Sequence, residues 1–137
     1  MAALAIKSDR LPIRRSEDIV AVRQHIRKAA LDMGFSLVDQ TKIVTAASEL
    51  ARNTLVHGGG GWANIEIVER LGRRGLRASF EDRGPGISDI ERAMQDGFTT
   101  AGGLGLGLGG ARRLSNEFEI QSKPGEGARV TITRWKV

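Results

Sequence analysis

The hydrophobic period of this chain changes once, near residue 60, and that change limits its fold more than any other feature. Upstream, Ile19, Val22, Ile26, Ala29, Ala30 and Met33 repeat at the spacing of a helix buried on one side. Ser16, as a capping residue ahead of the acids Glu17 and Asp18, starts this helix, and Gly34 stops it. Ser36, with Asp39 three residues later, opens a second helix that runs to about Val56, before His57-Gly58-Gly59-Gly60-Gly61. From Trp62 the apolar residues alternate instead: Ile65 and Ile67, then Leu76, Ala78 and Phe80, and later Phe118, Ile120, Val130 and Ile132. Helices followed by hairpin strands predict an α+β two-layer sandwich, a mixed sheet of four or five strands with helices on one face.

The connections follow from the punctuating residues. Residues 3 to 14 suit an edge strand interrupted near Pro12, and Gly72-Arg73-Arg74-Gly75 joins the first hairpin. A turn at Asp82-Arg83-Gly84-Pro85-Gly86 leads to a short helix with Ile87, Ile90 and Met94. Residues 96 to 106 lack amphipathic period and predict a mobile loop, ahead of a helix from Leu108 to near Asn116. Pro124-Gly125-Glu126-Gly127 joins the last two strands.

A chain of 137 residues suits one domain, spanning 1–137. It has no cysteine and two histidines, which excludes disulfide and thiol chemistry and leaves little for zinc. No apolar run is long enough to cross a bilayer, and the N-terminus is a poor signal peptide, so the expected location is cytoplasmic with no membrane partner. The net charge of +5 suits an acidic protein partner or nucleotide phosphates. Nucleic acid is disfavoured, because the arginines are scattered and four Phe with two Trp offer little stacking surface.

Three constellations carry chemistry. Glu49 and Asn53 are one helical turn apart and lie on the flank of the stripe Ile43, Ala46, Ala47, Leu50 and Thr54. Residues there line a cleft beside the sheet. An Asn carbonyl oxygen suits Mg²⁺ held against phosphates, and a carboxylate accepts a proton from an attacking hydroxyl. By itself the pair is equally an ordinary stretch of solvated helix surface. Asp82 closes a strand ahead of Gly84 and Gly86, where a carboxylate accepts from an exocyclic amine while glycines admit a flat base; a plain turn explains the same residues. The run from Gly102 to Gly110 enters a helix, and its backbone N–H groups can converge on an anion. It lacks the Gly-Lys-Ser/Thr ending of a Walker loop and the setting of a Rossmann fingerprint.

In combination and in this order, the elements resemble the GHKL (Bergerat-fold) superfamily, which includes histidine kinases, gyrase B, Hsp90, MutL and anti-sigma-factor kinases. The N box matches at Glu49-Leu50-Ala51-Arg52-Asn53, the G1 box at Asp82-Arg83-Gly84-Pro85-Gly86 and the G2 box at Gly103-Leu104-Gly105-Leu106-Gly107. The resemblance implies ATP and Mg²⁺ as cofactors, with Mg²⁺ on Asn53 and adenine on Asp82. It further implies base contacts at Gly84, Gly86 and Ile87, and triphosphate under a lid ending in Gly103, Gly105, Leu106 and Gly107. In the third glycine box, Gly125-Glu126-Gly127, Ala128 stands where the family has a threonine for adenine. Thr131 and Thr133 on the same strand are the expected substitutes.

Longer strings, among them Ser48-Glu49-Leu50-Ala51-Arg52-Asn53, Glu81-Asp82-Arg83-Gly84-Pro85-Gly86-Ile87 and Asp96-Gly97-Phe98, resemble the small serine/threonine kinases that regulate sigma factors, in particular the stressosome switch kinases. That resemblance implies transfer of the ATP γ-phosphoryl group to a Ser or Thr of a STAS-domain partner, of antagonist or stressosome scaffold type. Glu49 would accept the hydroxyl proton, and release from the STAS protein would free the kinase for a PP2C-type phosphatase. Two alternatives stay open: an anti-sigma factor that sequesters a sigma subunit, and a nucleotide-gated binding module with little kinase activity.

Overall fold

The computed structural model describes residues 2–86, 94 and 107–137. The expected helix around Ile87 and Ile90 and the expected loop over 96–106 lie outside the described residues. The elements are β1 (Leu4–Ile13), α1 (Ser16–Asp32), α2 (Leu37–Val56), β2 (Gly61–Arg70), β3 (Arg73–Asp82), α3 (Gly107–Arg113), β4 (Glu117–Ser122) and β5 (Ala128–Trp135).

Helix α1 starts on a carboxylate rather than on the expected hydroxyl. Arg15 is the extended residue before the helix and Ser16 is already helical. Asp18 reaches back to accept the N–H groups of Arg14 at 2.8 Å and Arg15 at 3.1 Å. These bonds, that from Arg14 foremost, hold the Asp18 carboxyl below its ordinary value. Helix α2 starts as expected, with Ser36 Oγ accepting the N–H of Asp39 at 3.1 Å.

The sheet has the order β1-β2-β3-β5-β4. All four pairings are antiparallel, so the mixed strand directions expected are not found. For β1 and β2 the cause is the connection between them. A single crossover helix would carry the chain to the far end of the sheet and set the next strand parallel. Here α1 runs away and α2 returns, and β2 begins where β1 ended, with Gly61 opposite Ile13.

β1 also runs through Pro12, which pairs with Trp62; the irregularity falls between Ala5 and Lys7 instead. Proline is tolerated because β1 is an edge strand with an unpaired side. The first hairpin turns on Leu71 and Gly72 alone, with φ of 52° and 79°, the two positive values that a tight twisted turn needs. Arg73, Arg74 and Gly75 therefore belong to β3, not to the turn.

One sheet face packs under the helices. Ala63, Ile65, Leu76, Ala78, Phe80, Val130 and Ile132 point inward, to a core completed by Val22 and Ile26 of α1 and Ile43 and Leu50 of α2. The opposite face is covered by polar pairs, including Arg77 with Glu66 at 2.9 Å and Arg70 with Glu117 at 3.0 Å. Between the layers, Arg134 of β5 reaches Asp39 in the first turn of α2 at 2.7 Å and also donates to the carbonyl of Leu114 at 3.0 Å. The hydrogen bond from Arg134 is the main reason the Asp39 carboxyl sits below its ordinary value.

Because the folded value of Asp39 is depressed, its contribution is complete above the ordinary carboxylate value of 3.8 and is lost as pH falls through the lower folded value. Asp39→Asn should lower stability by about 1–2 kcal/mol at pH 7. Urea melts should find that deficit shrinking towards pH 3; a pH-independent deficit would mean that the charge of Asp39 is not what matters.

Candidate functional site

The site lies where α2 ends and β3 stops. The buried stripe of α2 comprises Ile43, Val44, Ala46, Ala47, Leu50, Ala51 and Thr54. Glu49 and Asn53 stand half-buried at its margin, one turn apart and on one side of the helix. The helix closes at Asn53, whose carbonyl oxygen accepts from the N–H groups of His57 at 2.9 Å and Gly58 at 3.2 Å. His57 is the C-terminal capping residue.

The glycine run that follows lets this helix end meet the end of β3. A Cβ placed on Gly58 would lie 2.3 Å from Cγ of Asp82, and one on Gly84 would lie 2.8 Å from the Cα of Gly58. A Cβ on Gly127 would lie 2.2 Å from the carbonyl oxygen of Asp82. Three loops therefore meet around Asp82 at distances that only glycine permits. Asp82 is fixed within this packing: its Oδ1 accepts the N–H of Gly84 at 2.9 Å. Gly86, with φ of 77°, packs on the carbonyl of Lys123, and Pro85 accepts the N–H of Gly125 at 2.7 Å.

The sheet register places Asp82 opposite Ala128, and Ala128 opposite Ser122. All three share the inward parity of Phe80, Val130 and Ile120. Thr131 and Thr133 fall on the other parity, and Thr131 Oγ1 hydrogen-bonds Ser79 Oγ at 2.9 Å. Neither can stand in for a hydroxyl at Ala128, which corrects the expectation drawn from the sequence. A threonine three or five residues along a strand from a given position faces away from it.

An open cavity of about 740 Å³, within the size range of small-molecule sites, is lined by Asp82, Arg83, Ser122, Lys123 and Gly127 among others. Gly107 is buried as the first residue of α3. Ile87, Gly103, Gly105 and Leu106, also expected at the site, lie outside the described residues. The sequence reading did not single out Gly58 or Ser122. Gly58 looked like a helix stop, and Ser122 like one polar residue in an alternating strand; only their neighbours across the fold distinguish them.

A helix-flank Glu/Asn pair beside a carboxylate enclosed by glycine turns, under an antiparallel sheet, defines a class of nucleotide-binding ATPase domain. The family profile of histidine kinase-, DNA gyrase B- and HSP90-like ATPases matches residues 38–137, and the chain belongs to that family. Within it, the chain is 50% identical over 118 residues to the serine/threonine-protein kinase RsbT of Bacillus subtilis (strain 168), covering 86% of this chain and 89% of that one. An anti-sigma F factor of Thermoanaerobacter sp. (strain X514) is 29% identical over 128 residues, 90% of this chain and 89% of its own. Among solved structures, the RsbU and RsbW domains of Rv1364c from Mycobacterium tuberculosis superpose with a TM-score of 0.61 at 24% identity, over 96% of this chain and 33% of that one. The SiaB–SiaC complex from Pseudomonas aeruginosa matches with a TM-score of 0.53 at 15% identity, over 96% of this chain and 90% of that one. These two likenesses are of fold.

The glycine packing predicts that Gly58→Ala drives the helix end and Asp82 apart. Nucleotide affinity, read by fluorescent-ATP titration, should fall about tenfold or more, since the added methyl must displace either the loop or the carboxylate. An unchanged affinity would mean that the contact does not shape the site.

Proposed function

We infer that this RsbT-like chain is a serine/threonine protein kinase of a partner-switching circuit that regulates a sigma factor. The observation that carries the reading is the enclosed Asp82 carboxylate facing the end of the helix that bears Glu49 and Asn53. The residues fit ATP on two grounds. An open cavity of about 740 Å³ borders Asp82, and the carboxylate is an acceptor matched to an exocyclic amine. Among the described residues no three acidic or histidine side chains converge as a metal cluster. A Mg²⁺ ion would therefore be held by the side-chain amide oxygen of Asn53 together with phosphate oxygens and water, as this ion commonly is.

ATP supplies the phosphoryl group, and the chain's own residues align it. Asp82 selects the base, the glycine turns at Gly84 and Gly86 admit its flat face, and Asn53 fixes the phosphate end. The glycine motif Gly103 to Gly107, of which Gly107 alone lies among the described residues, would contact the triphosphate. Glu49, one turn from Asn53, accepts the proton of the partner's Ser or Thr hydroxyl. Catalysis of this kind needs mainly positioning and charge stabilisation. The partner is a STAS-domain protein, with a PP2C-type phosphatase as the second partner after release. The setting is cytoplasmic, in keeping with the described helices, none of which is long and apolar enough to cross a membrane.

Asp82→Asn should abolish ATP binding and leave the melting profile unchanged; retained nucleotide affinity would remove Asp82 from the site. Glu49→Ala should bind ATP normally and lose phosphoryl transfer by at least about a hundredfold. The transfer itself is read by incubation with γ-labelled ATP and STAS proteins of the same genome, with sigma subunits pulled down alongside. Label on a STAS protein without sigma capture supports the kinase reading, and sigma capture without label overturns it in favour of an anti-sigma factor.

A further inference from the structure

We propose that the pole of the molecule opposite the nucleotide site is a docking surface for a second protein partner, one whose contact face is acidic and carries apolar side chains. The inference rests on the reading of the chain as a kinase that exchanges two protein partners. It starts from the apolar side chains that stay outside the core. Of the nine large hydrophobic residues that are exposed among the described residues, six gather at this pole: Leu4, Ile6, Leu31, Leu37, Val38 and Leu71. A monomer's surface seldom collects apolar groups in this way unless something covers them.

The fold brings these six together from separate segments. Leu4 pairs with Glu69, so the start of β1 lies beside the turn between β2 and β3 that carries Leu71. Lys136, just beyond β5, donates its N–H to the carbonyl of Arg74 at 2.9 Å, and a Cβ on Gly34 would lie 3.1 Å from Cε of Lys136. The junction of α1 and α2, with Leu31, Leu37 and Val38, is thereby set against the same hairpin end. From β1 to β5 the pole spans three strand spacings, about 14 Å. That breadth, with the helix ends beside it, suits one side of a standard interface, about 800 Å² per partner.

Charge and hydrogen bonding decide what kind of partner fits. Lys7, Arg73, Arg74 and Lys136 are exposed here and form no ion pair among the described residues, against one such acid, the half-buried Glu69. The other carboxylates near them already have cations: Asp32 has Lys28, Asp39 has Arg134 and Glu117 has Arg70. An acidic face is attracted to this excess, whereas a second copy of the chain would bring the same cations and be repelled. β1 adds an unpaired strand edge, whose N–H and C=O groups a protein can satisfy and the hydrocarbon of a membrane cannot. From Leu37 to Asn53 the axis of α2 runs about 24 Å, so a partner seated on the pole leaves the phosphate end of the site open. The pole therefore takes the partner that receives no phosphoryl group, not the STAS protein.

The test uses the full chain and a PP2C-type phosphatase of the same genome, with binding read by biolayer interferometry. Two variants change the pole and spare the site. One is Leu37→Glu, which places an acid in the first turn of α2, where acids are favoured. The other is Leu71→Asn with Arg73→Glu, in which Asn tolerates the positive φ of that turn. Each should weaken phosphatase binding about tenfold or more, and the wild-type interaction should weaken as salt is raised. ATP affinity and labelling of the STAS protein should stay within about twofold of the wild type, because both depend on residues far from the pole. Wild-type phosphatase affinity in both variants overturns the proposal, as does a wild-type chain that binds no phosphatase. Loss of STAS labelling in variants that still bind ATP also overturns it, because the pole would then be the surface of the phosphoryl acceptor. Unaltered phosphatase binding together with lost binding to phosphatidylglycerol vesicles assigns the pole to a membrane instead. The kinase reading fails separately, if the wild type labels no STAS protein; the effect of the variants on phosphatase binding still decides the role of the pole.

Discussion

The backbone-to-backbone approach of three loops around Asp82 is the constraint on which this molecule's chemistry depends. A side chain larger than hydrogen at Gly58 or Gly127 would collide with Asp82 itself, and one at Gly84 would collide with the helix-end loop. The helix bearing Glu49 and Asn53 and the strand bearing Asp82 are therefore held at a spacing that no ordinary packing of Cβ atoms allows. Close approach brings a carboxylate, a helix end and a strand turn into one space.

The rest of the fold is the scaffold for that approach. Two helices that run out and back make the β1–β2 pairing antiparallel and deliver the end of α2 to the start of β2. β2 in turn fixes β3, and Gly61 lies opposite Asp82. The Arg134–Asp39 pair ties the far end of α2 to β5, so α2 is held near both its ends. Glu49 and Asn53 stay at the boundary of core and cleft, since the stripe that anchors the helix is wholly apolar apart from Thr54. A carboxylate and an amide at this margin avoid the desolvation that a core position would impose.

Family membership and this geometry account for different things. Belonging to the ATPase family and resembling RsbT across most of both chains define the class of chemistry. They do not explain how this chain manages with Ala128 in the row beside Asp82. The strand register does bear on that question, because it turns Thr131 and Thr133 away.

Much of the molecule was legible from residue patterns, since periods of 3.6 and 2 follow directly from which faces are buried. The two long helices, the Ser36 cap, the strands and the flanking position of Glu49 and Asn53 belong to that legible part. Strand direction was not, because it depends on whether a connection returns to its own end of the sheet. Nor were the hairpin turn at Leu71-Gly72 and the start of α1 on Asp18, where neighbouring residues offered equally good local signals. The sequence alone determined which elements form and which motifs they carry, because local propensity and burial act along the chain. Only the tertiary structure decided that Gly58 touches Asp82 and that Ser122 shares its row. Those contacts join residues 24 and 40 positions apart, and no periodicity records them.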